Sequence, residues 1–186
     1  MSLGNPLSNT ISLVLTVIGD DRPGLVERLA AAISEHQGNW LESSMSHLSG
    51  KFAGIVCVGV ATARAEALKA ALAGLSGLRV TCEESVPGDA GAVAATGNRR
   101  LKLSLVGHDR IGIVREVSQV LTRHAINVEA LNTRTASAPM SAEILFHANA
   151  VLTASPTLDA RALTADLERL SNDLMVDITL DETIRT

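Results

Sequence analysis

Tyrosine is absent from this 186-residue chain, and the other aromatics are Trp40, Phe52 and Phe146, so aromatic residues make up 2% of it. Platforms for stacking nucleic-acid bases are therefore almost missing. Cysteine is nearly as scarce: Cys57 and Cys82 are the only two, with no Cys-x-x-Cys. That spacing leads us to expect two buried thiols in a reducing compartment, with a disulfide or metal pair as the alternative. No apolar run approaches the length of a membrane span. The first residues lack a basic region followed by a hydrophobic stretch, so no signal peptide is expected, and Met1-Ser2-Leu3 reads as a cloning remnant. The expected location is cytoplasmic.

An excess of positive charge is also missing. There are 16 Lys and Arg against 20 Asp and Glu, for a net charge of −4. Residues 1–98 hold 6 basic and 9 acidic side chains and residues 99–186 hold 10 and 11, so neither half is basic. Direct binding to nucleic acid or to an anionic membrane is accordingly not expected. No phosphate loop of Walker type and no Gly-x-Gly-x-x-Gly stretch occurs. The five histidines (His36, His47, His108, His124 and His147) lack metal-ligand spacing, and His36 and His124 read as helix-end residues. No metal, cofactor or catalytic residue is implied, because no nucleophile is paired with a base.

What the chain does have is an internal repeat. Gly19-Asp20-Asp21-Arg22-Pro23-Gly24-Leu25-Val26 returns as Gly107-His108-Asp109-Arg110-Ile111-Gly112-Ile113-Val114, at a constant offset of 88. From Gly19 to Asn39, seven of 21 positions are identical to their counterparts, where chance supplies roughly one or two. The repeat makes this a chain of two small domains. Apolar residues are 46% of the sequence, ample for two cores even though each domain is near the size below which a core is hard to bury.

Periodicity supplies the elements. Leu13, Leu15 and Val17 alternate with Ser12, Val14 and Thr16, which predicts a strand. Leu25, Leu29 and Ile33 then recur at helical spacing, with Pro23 suited to the first turn and Gly38 to the end. Two extended stretches follow, 39–48 and 52–60, joined by a Ser49-Gly50-Lys51 hairpin turn. Thr62 is the expected cap of a second helix with Leu68, Leu72 and Leu75 inward. Leu78, Val80 and Cys82 mark a last strand. The order repeats through a helix over 111–124, strands over 127–135 and 142–151 separated by Ser137-Ala138-Pro139, a helix opened by Ser155-Pro156, and a strand carrying Val176, Ile178 and Leu180. The predicted fold is α+β, two tandem ferredoxin-like β-α-β-β-α-β units with antiparallel sheets. The expected divisions are 9–86, a small-residue linker at 87–98, and 99–186. Val14, Ile18, Val56 and Val106 fall on alternate positions, so the sheet faces without helices are expected to be partly apolar and to pair, within the chain or as a homo-oligomer.

A strand that ends in Gly-x-Asp-Arg-x-Gly and turns into a helix offers unpaired backbone N–H groups and a partial positive charge, a setting for a carboxylate. Asn39 and Asn127, just past each helix, offer both a donor and an acceptor. The plain alternative is structural: the aspartates cap, the arginines are solvated, and the glycines shape the turn.

Asp-Arg-Pro-Gly-Leu-Val followed by a helix and Gly38-Asn39-Trp40, within a β-α-β-β-α-β unit, resembles the ACT domain, the ligand-sensing module of amino-acid metabolism. The resemblance implies that Asp20, Asp21, Arg22, Pro23 and Gly24 with Asn39, and His108, Asp109, Arg110, Ile111 and Gly112 with Asn127, bind a small amino acid such as glycine. The second unit departs from the motif, with Ile111 in place of proline and His108 opposite Asp20. Two such units in tandem resemble the regulatory members of that family, and the resemblance implies a non-catalytic transcriptional regulator, a repressor that acts through a DNA-binding partner protein. The alternative is an amino-acid-responsive regulatory subunit of a metabolic enzyme.

Overall fold

The computed structural model describes residues 10–85, 98–138 and 143–183. The chain falls into two compact units, residues 1–92 and 93–186. The first runs β1 (Thr10–Asp20), α1 (Leu25–Glu35), β2 (Asn39–Leu48), β3 (Lys51–Ala61), α2 (Thr62–Ala73) and β4 (Leu78–Ser85). The second repeats the order as β5 (Arg99–His108), α3 (Ile113–Arg123), β6 (Asn127–Ser137), β7 (Ile144–Ala154), α4 (Ala160–Leu174) and β8 (Val176–Thr183). Each forms one antiparallel four-stranded sheet, ordered β2-β3-β1-β4 and β6-β7-β5-β8. These are two tandem ferredoxin-like units, as the periodicity predicts.

The alternation decides which sheet face the helices cover. Leu13, Leu15 and Val17 of β1 are fully buried with Val56, Val58 and Val60 of β3, beneath Leu25, Leu29 and Ile33 of α1 and Leu68 and Leu72 of α2. In the second unit Leu101, Leu103 and Leu105 lie beneath Ile113, Val117 and Leu121 of α3 and Leu163 and Leu167 of α4. Each such side chain contributes roughly 1.5–3 kcal/mol by leaving water. The repeat also extends beyond the identities: a bulge breaks the register at Trp40/Glu42 and again at Val128/Ala130.

Several local expectations need correction. Pro23 lies in the turn and not in the helix; α1 starts at Leu25, with Gly24 at the N-cap in the left-handed region, φ 88°. Gly38 is not the left-handed residue at the end of α1. Gln37 is, with φ 57°, and its counterpart is Ala125, φ 52°. The N–H of Gly38 donates to Ile33 O at 2.8 Å and that of Ile126 to Leu121 O at 3.0 Å. These bonds tie each helix end without needing glycine at the turn. His36 and His124 do sit at the two helix ends. Thr62 is the first helical residue of α2, after Ala61 at the N-cap. Ser155-Pro156 form a turn, and α4 opens later at Asp159, whose carboxylate accepts from the N–H groups of Arg161 and Ala162. Val56 belongs to the helix-covered face, because it pairs with Leu15 in register. The two thiols are free but only half-buried. The linker segment 87–97 and residues 139–142 of the second hairpin lie outside the described residues.

Candidate functional site

Each turn is built by the same two backbone devices. Strand β1 ends at Asp20, and the N–H of Asp21 donates to Gly50 O at 2.9 Å, tethering the turn to the β2–β3 hairpin. Asp109 makes the equivalent bond to Ile144 O at 3.0 Å. Gly24 and Gly112 then take φ 88° and 96°, which L-residues with a Cβ adopt only under strain. Neither helix that follows has a side-chain cap. Both therefore open with backbone donors that no side chain accepts.

The side chains around the first turn are charged and partly paired. Asp20 accepts from Lys51 Nζ at 2.5 Å and from Arg22 Nη2 at 3.2 Å. The Lys51 hydrogen bond, with the charges of Lys51 and Arg22 behind it, holds the Asp20 carboxyl below its ordinary pKa. Arg28 of α1 reaches across to the α2–β4 loop, where Nη1 donates to Ser76 O at 3.0 Å. That loop runs so close to β1 that a Cβ on Gly19 would meet Gly77 O at 2.4 Å. A cleft of about 410 Å³ opens beside the turn, lined by Ile18, Gly19, Asp20, Lys51, Gly77, Leu78 and Arg79. Its size is that of a small-molecule site.

The second turn is closed differently. Arg110 Nη2 meets Glu116 Oε2 at 2.5 Å, and His108 Nδ1 lies 3.9 Å from Glu143 Oε2. Ile111 is fully exposed. Gly107 again needs its missing Cβ, here because Val176 Cγ1 would stand 2.2 Å away.

Thus Asp20, Asp21, Arg22, Pro23 and Gly24 form one turn, and His108, Asp109, Arg110, Ile111 and Gly112 the other. Neither asparagine joins the turn of its own unit. Asn39 pairs with Gly59, which pairs with Ser12, whereas Asp20 is at the other end of β1. At about 3.3 Å per residue the separation along the strand is roughly 26 Å. Asn127 is placed likewise, through Thr153 and Arg100, against His108. Sequence reasoning missed Arg28, Lys51, Gly77 and Arg79, which the fold brings to the first turn. Among the described residues no cluster of three or more His, Cys, Asp or Glu is arranged to hold a metal ion, and no helix is long and apolar enough to cross a membrane.

Residues 12–79 match the family model of the ACT domain. The match lies within the first unit, and the second unit repeats the element order and sheet topology of the first. Two solved structures match over nearly the whole chain. One is an unknown protein from Galdieria sulphuraria, 28% identical, with a TM-score of 0.79, covering 94% of this chain and 99% of that one. The other is provisionally named a glycine cleavage system transcriptional repressor and is 18% identical, with a TM-score of 0.67, covering 95% of this chain and 99% of that one. At that identity the second likeness shows the fold alone. A comparison with curated proteins found no match.

Proposed function

We propose that this protein is a non-catalytic, amino-acid-sensing regulator, a repressor of glycine cleavage genes that acts through a DNA-binding partner. The observation that carries the sensing role is the strand–helix turn: a left-handed glycine followed by a helix whose first N–H groups lack any side-chain cap, beside a cleft of about 410 Å³ in the first unit. Backbone donors at a helix start suit a carboxylate, and a carboxylate with an ammonium beside it is the common part of every amino acid. The repressor role is supported by the name given to one protein of the same fold.

The partner follows from charge. Sequence-independent DNA affinity comes from Lys and Arg neutralising phosphates, and this chain carries 16 of them against 20 carboxylates. Among the described residues the four helices turn apolar stripes to their own sheets, and none of them is left over as a recognition helix. Calorimetry on the pure protein tests sensing: heat is expected with glycine or another small amino acid, and silence across all the amino acids overturns it. A gel-shift titration on a glycine-cleavage promoter at physiological salt tests the mechanism. No specific shift is expected from the pure protein, and one at nanomolar protein without a partner overturns it. Recovery of a DNA-binding regulator from native lysate supports the reading, and recovery of a biosynthetic enzyme points instead to an enzyme's regulatory subunit.

A further inference from the structure

The two turns share a backbone and differ in the charges the fold brings to them. Sheet register sets the correspondence. Asp20 pairs with Lys51 where His108 pairs with Leu145, and Ile18 pairs with Arg79 where Val106 pairs with Asp177. On the helices, Arg28 corresponds to Glu116 at the constant offset of 88. The first turn is thus surrounded by Arg22, Arg28, Lys51 and Arg79 with Asp20 and Asp21. The corresponding places in the second hold Arg110 alone among cations, with Asp109, Glu116 and Asp177 and the imidazole of His108. Glu27 and Arg115, one position earlier on each helix, exchange in the opposite direction and remove only part of the difference.

Pairing sharpens the contrast. Among the described residues no carboxylate pairs with Arg28 or Arg79, while Arg110 is held by Glu116. A Cβ on Gly77 would lie 3.6 Å from Arg28 Nη2 and 3.9 Å from Arg22 Nη2, so both guanidinium groups reach the rim of the cleft that Lys51 and Arg79 line. The first unit therefore has a concave place where cations outnumber anions and two of them have no carboxylate partner among the described residues. At the second turn the added carboxylates repel an anion.

We propose that the cleft of the first unit holds the effector's carboxylate, with Lys51 and Arg79 setting its specificity, and that the second turn holds none, so each chain binds one ligand. Asp20, on the same wall, is the acceptor for the effector's ammonium group. This rests on the amino-acid-sensing reading for the identity of the ligand but not for the preference for a carboxylate.

The test is residue-resolved NMR titration of the full chain with glycine and, separately, with acetate, a carboxylate without an ammonium. Both probes should shift amides of residues 18–24, 50–52 and 77–79 and leave 106–113 and 176–178 unmoved. Giving the first unit the second unit's residues, Lys51→Leu with Arg79→Asp, changes two exposed side chains, and an otherwise unaltered spectrum verifies the fold. The double variant should weaken both probes by about tenfold or more, the loss of one charge-assisted contact. If glycine shifts both turns alike, or binds the double variant as tightly as the parent, the one-site proposal is overturned and sensing stands. If acetate behaves as described and no amino acid binds, the cleft stands as a carboxylate site and sensing falls. If neither probe shifts the first turn, both fall.

Discussion

Gly24 and Gly112 take nearly the same left-handed conformation, yet the side chains gathered around them carry opposite charge balances. The agreement and the disagreement have different physical origins. A tether from the hairpin, a glycine with positive φ and a missing Cβ at the strand end are steric requirements, and a duplicated domain that loses one loses stability. Surface charges such as Arg79 and Asp177 contribute little to stability, so they diverge at small cost. What the two units share therefore reports on folding. Where they differ, folding imposes no constraint, and the one-site proposal assigns that difference to ligand binding.

The steric half of that comparison is broken most severely at Gly19 and Gly107. Adding a Cβ at Gly19 puts it 2.4 Å from a backbone oxygen, Gly77 O, and at Gly107 2.2 Å from a side-chain carbon, Val176 Cγ1. Either Gly→Ala variant should cost about 1–3 kcal/mol, the usual range for overpacking, with hydrogen exchange accelerated in the unit that carries it. The obstacles differ in kind. Val176→Ala removes the nearest atom and should restore part of the stability of Gly107→Ala, whereas no side-chain truncation relieves Gly19→Ala, whose obstacle is main chain. Full tolerance of Gly19→Ala would show that the α2–β4 loop yields.

A smaller effect is expected at Gly24 and Gly112. A Cβ on either meets only ordinary contacts or open space, so the cost of Ala is the left-handed backbone, about 1–2 kcal/mol. Because the two φ values are 88° and 96°, the two variants should lose similar stability by chemical denaturation. Equal losses with unequal effects on ligand binding would locate the asymmetry in the charges. Unequal losses would place it in the backbone.

Much of the fold was legible because β1, α1 and their copies bury side chains at strict periods, Leu13-Leu15-Val17 at two and Leu25-Leu29-Ile33 at four. Helix starts were less legible. Ser155-Pro156 and Thr62 both look like caps, but the choice among nearby Ser, Thr and Asp depends on where tertiary packing lets the helix begin, which favours Asp159 in one case and Ala61 in the other. The turn residues of the site were visible through the repeat, whereas Lys51, Gly77 and Arg79 were not. The offset between equivalent positions is 88 at Gly19/Gly107, 94 at Phe52/Phe146 and 98 at Leu78/Val176. A constant-offset comparison therefore fails beyond the second strand, and only sheet register aligns Arg79 with Asp177. The placing of Asn39 at the far end of the sheet was equally hidden, because an α-helix returns the chain along the strand it follows.

The smallest difference expected between the units is in acid. In the second unit Asp166 is held below its ordinary pKa, first by the hydrogen bond from His124 at 3.1 Å and then by the charges of Arg123 and Arg169. Glu182 is lowered by its hydrogen bond from Arg99. Among the described residues of the first unit there is one such carboxylate, Asp20. A carboxyl whose folded pKa is depressed stabilises the fold above its unfolded pKa, and that contribution is lost as pH falls through the folded value. The loss thus begins near the ordinary values of 3.8 for Asp and 4.5 for Glu and grows below them. Asp20 and Glu182 lie at the surface and Asp166 is half-buried beside it, so salt screens them and the effect is modest. Residue-resolved hydrogen exchange at about pH 5 and about pH 3, on either side of those values, should show the second unit weakening more than the first. Asp166→Asn with Glu182→Gln should flatten its pH dependence, and roughly 1 M salt, with a Debye length of about 3 Å, should narrow the gap between the units. If the first unit proves the more acid-labile, Asp20 matters more to folding than its exposure suggests, and its pairing with Lys51 and Arg22 is structural before it is a binding device.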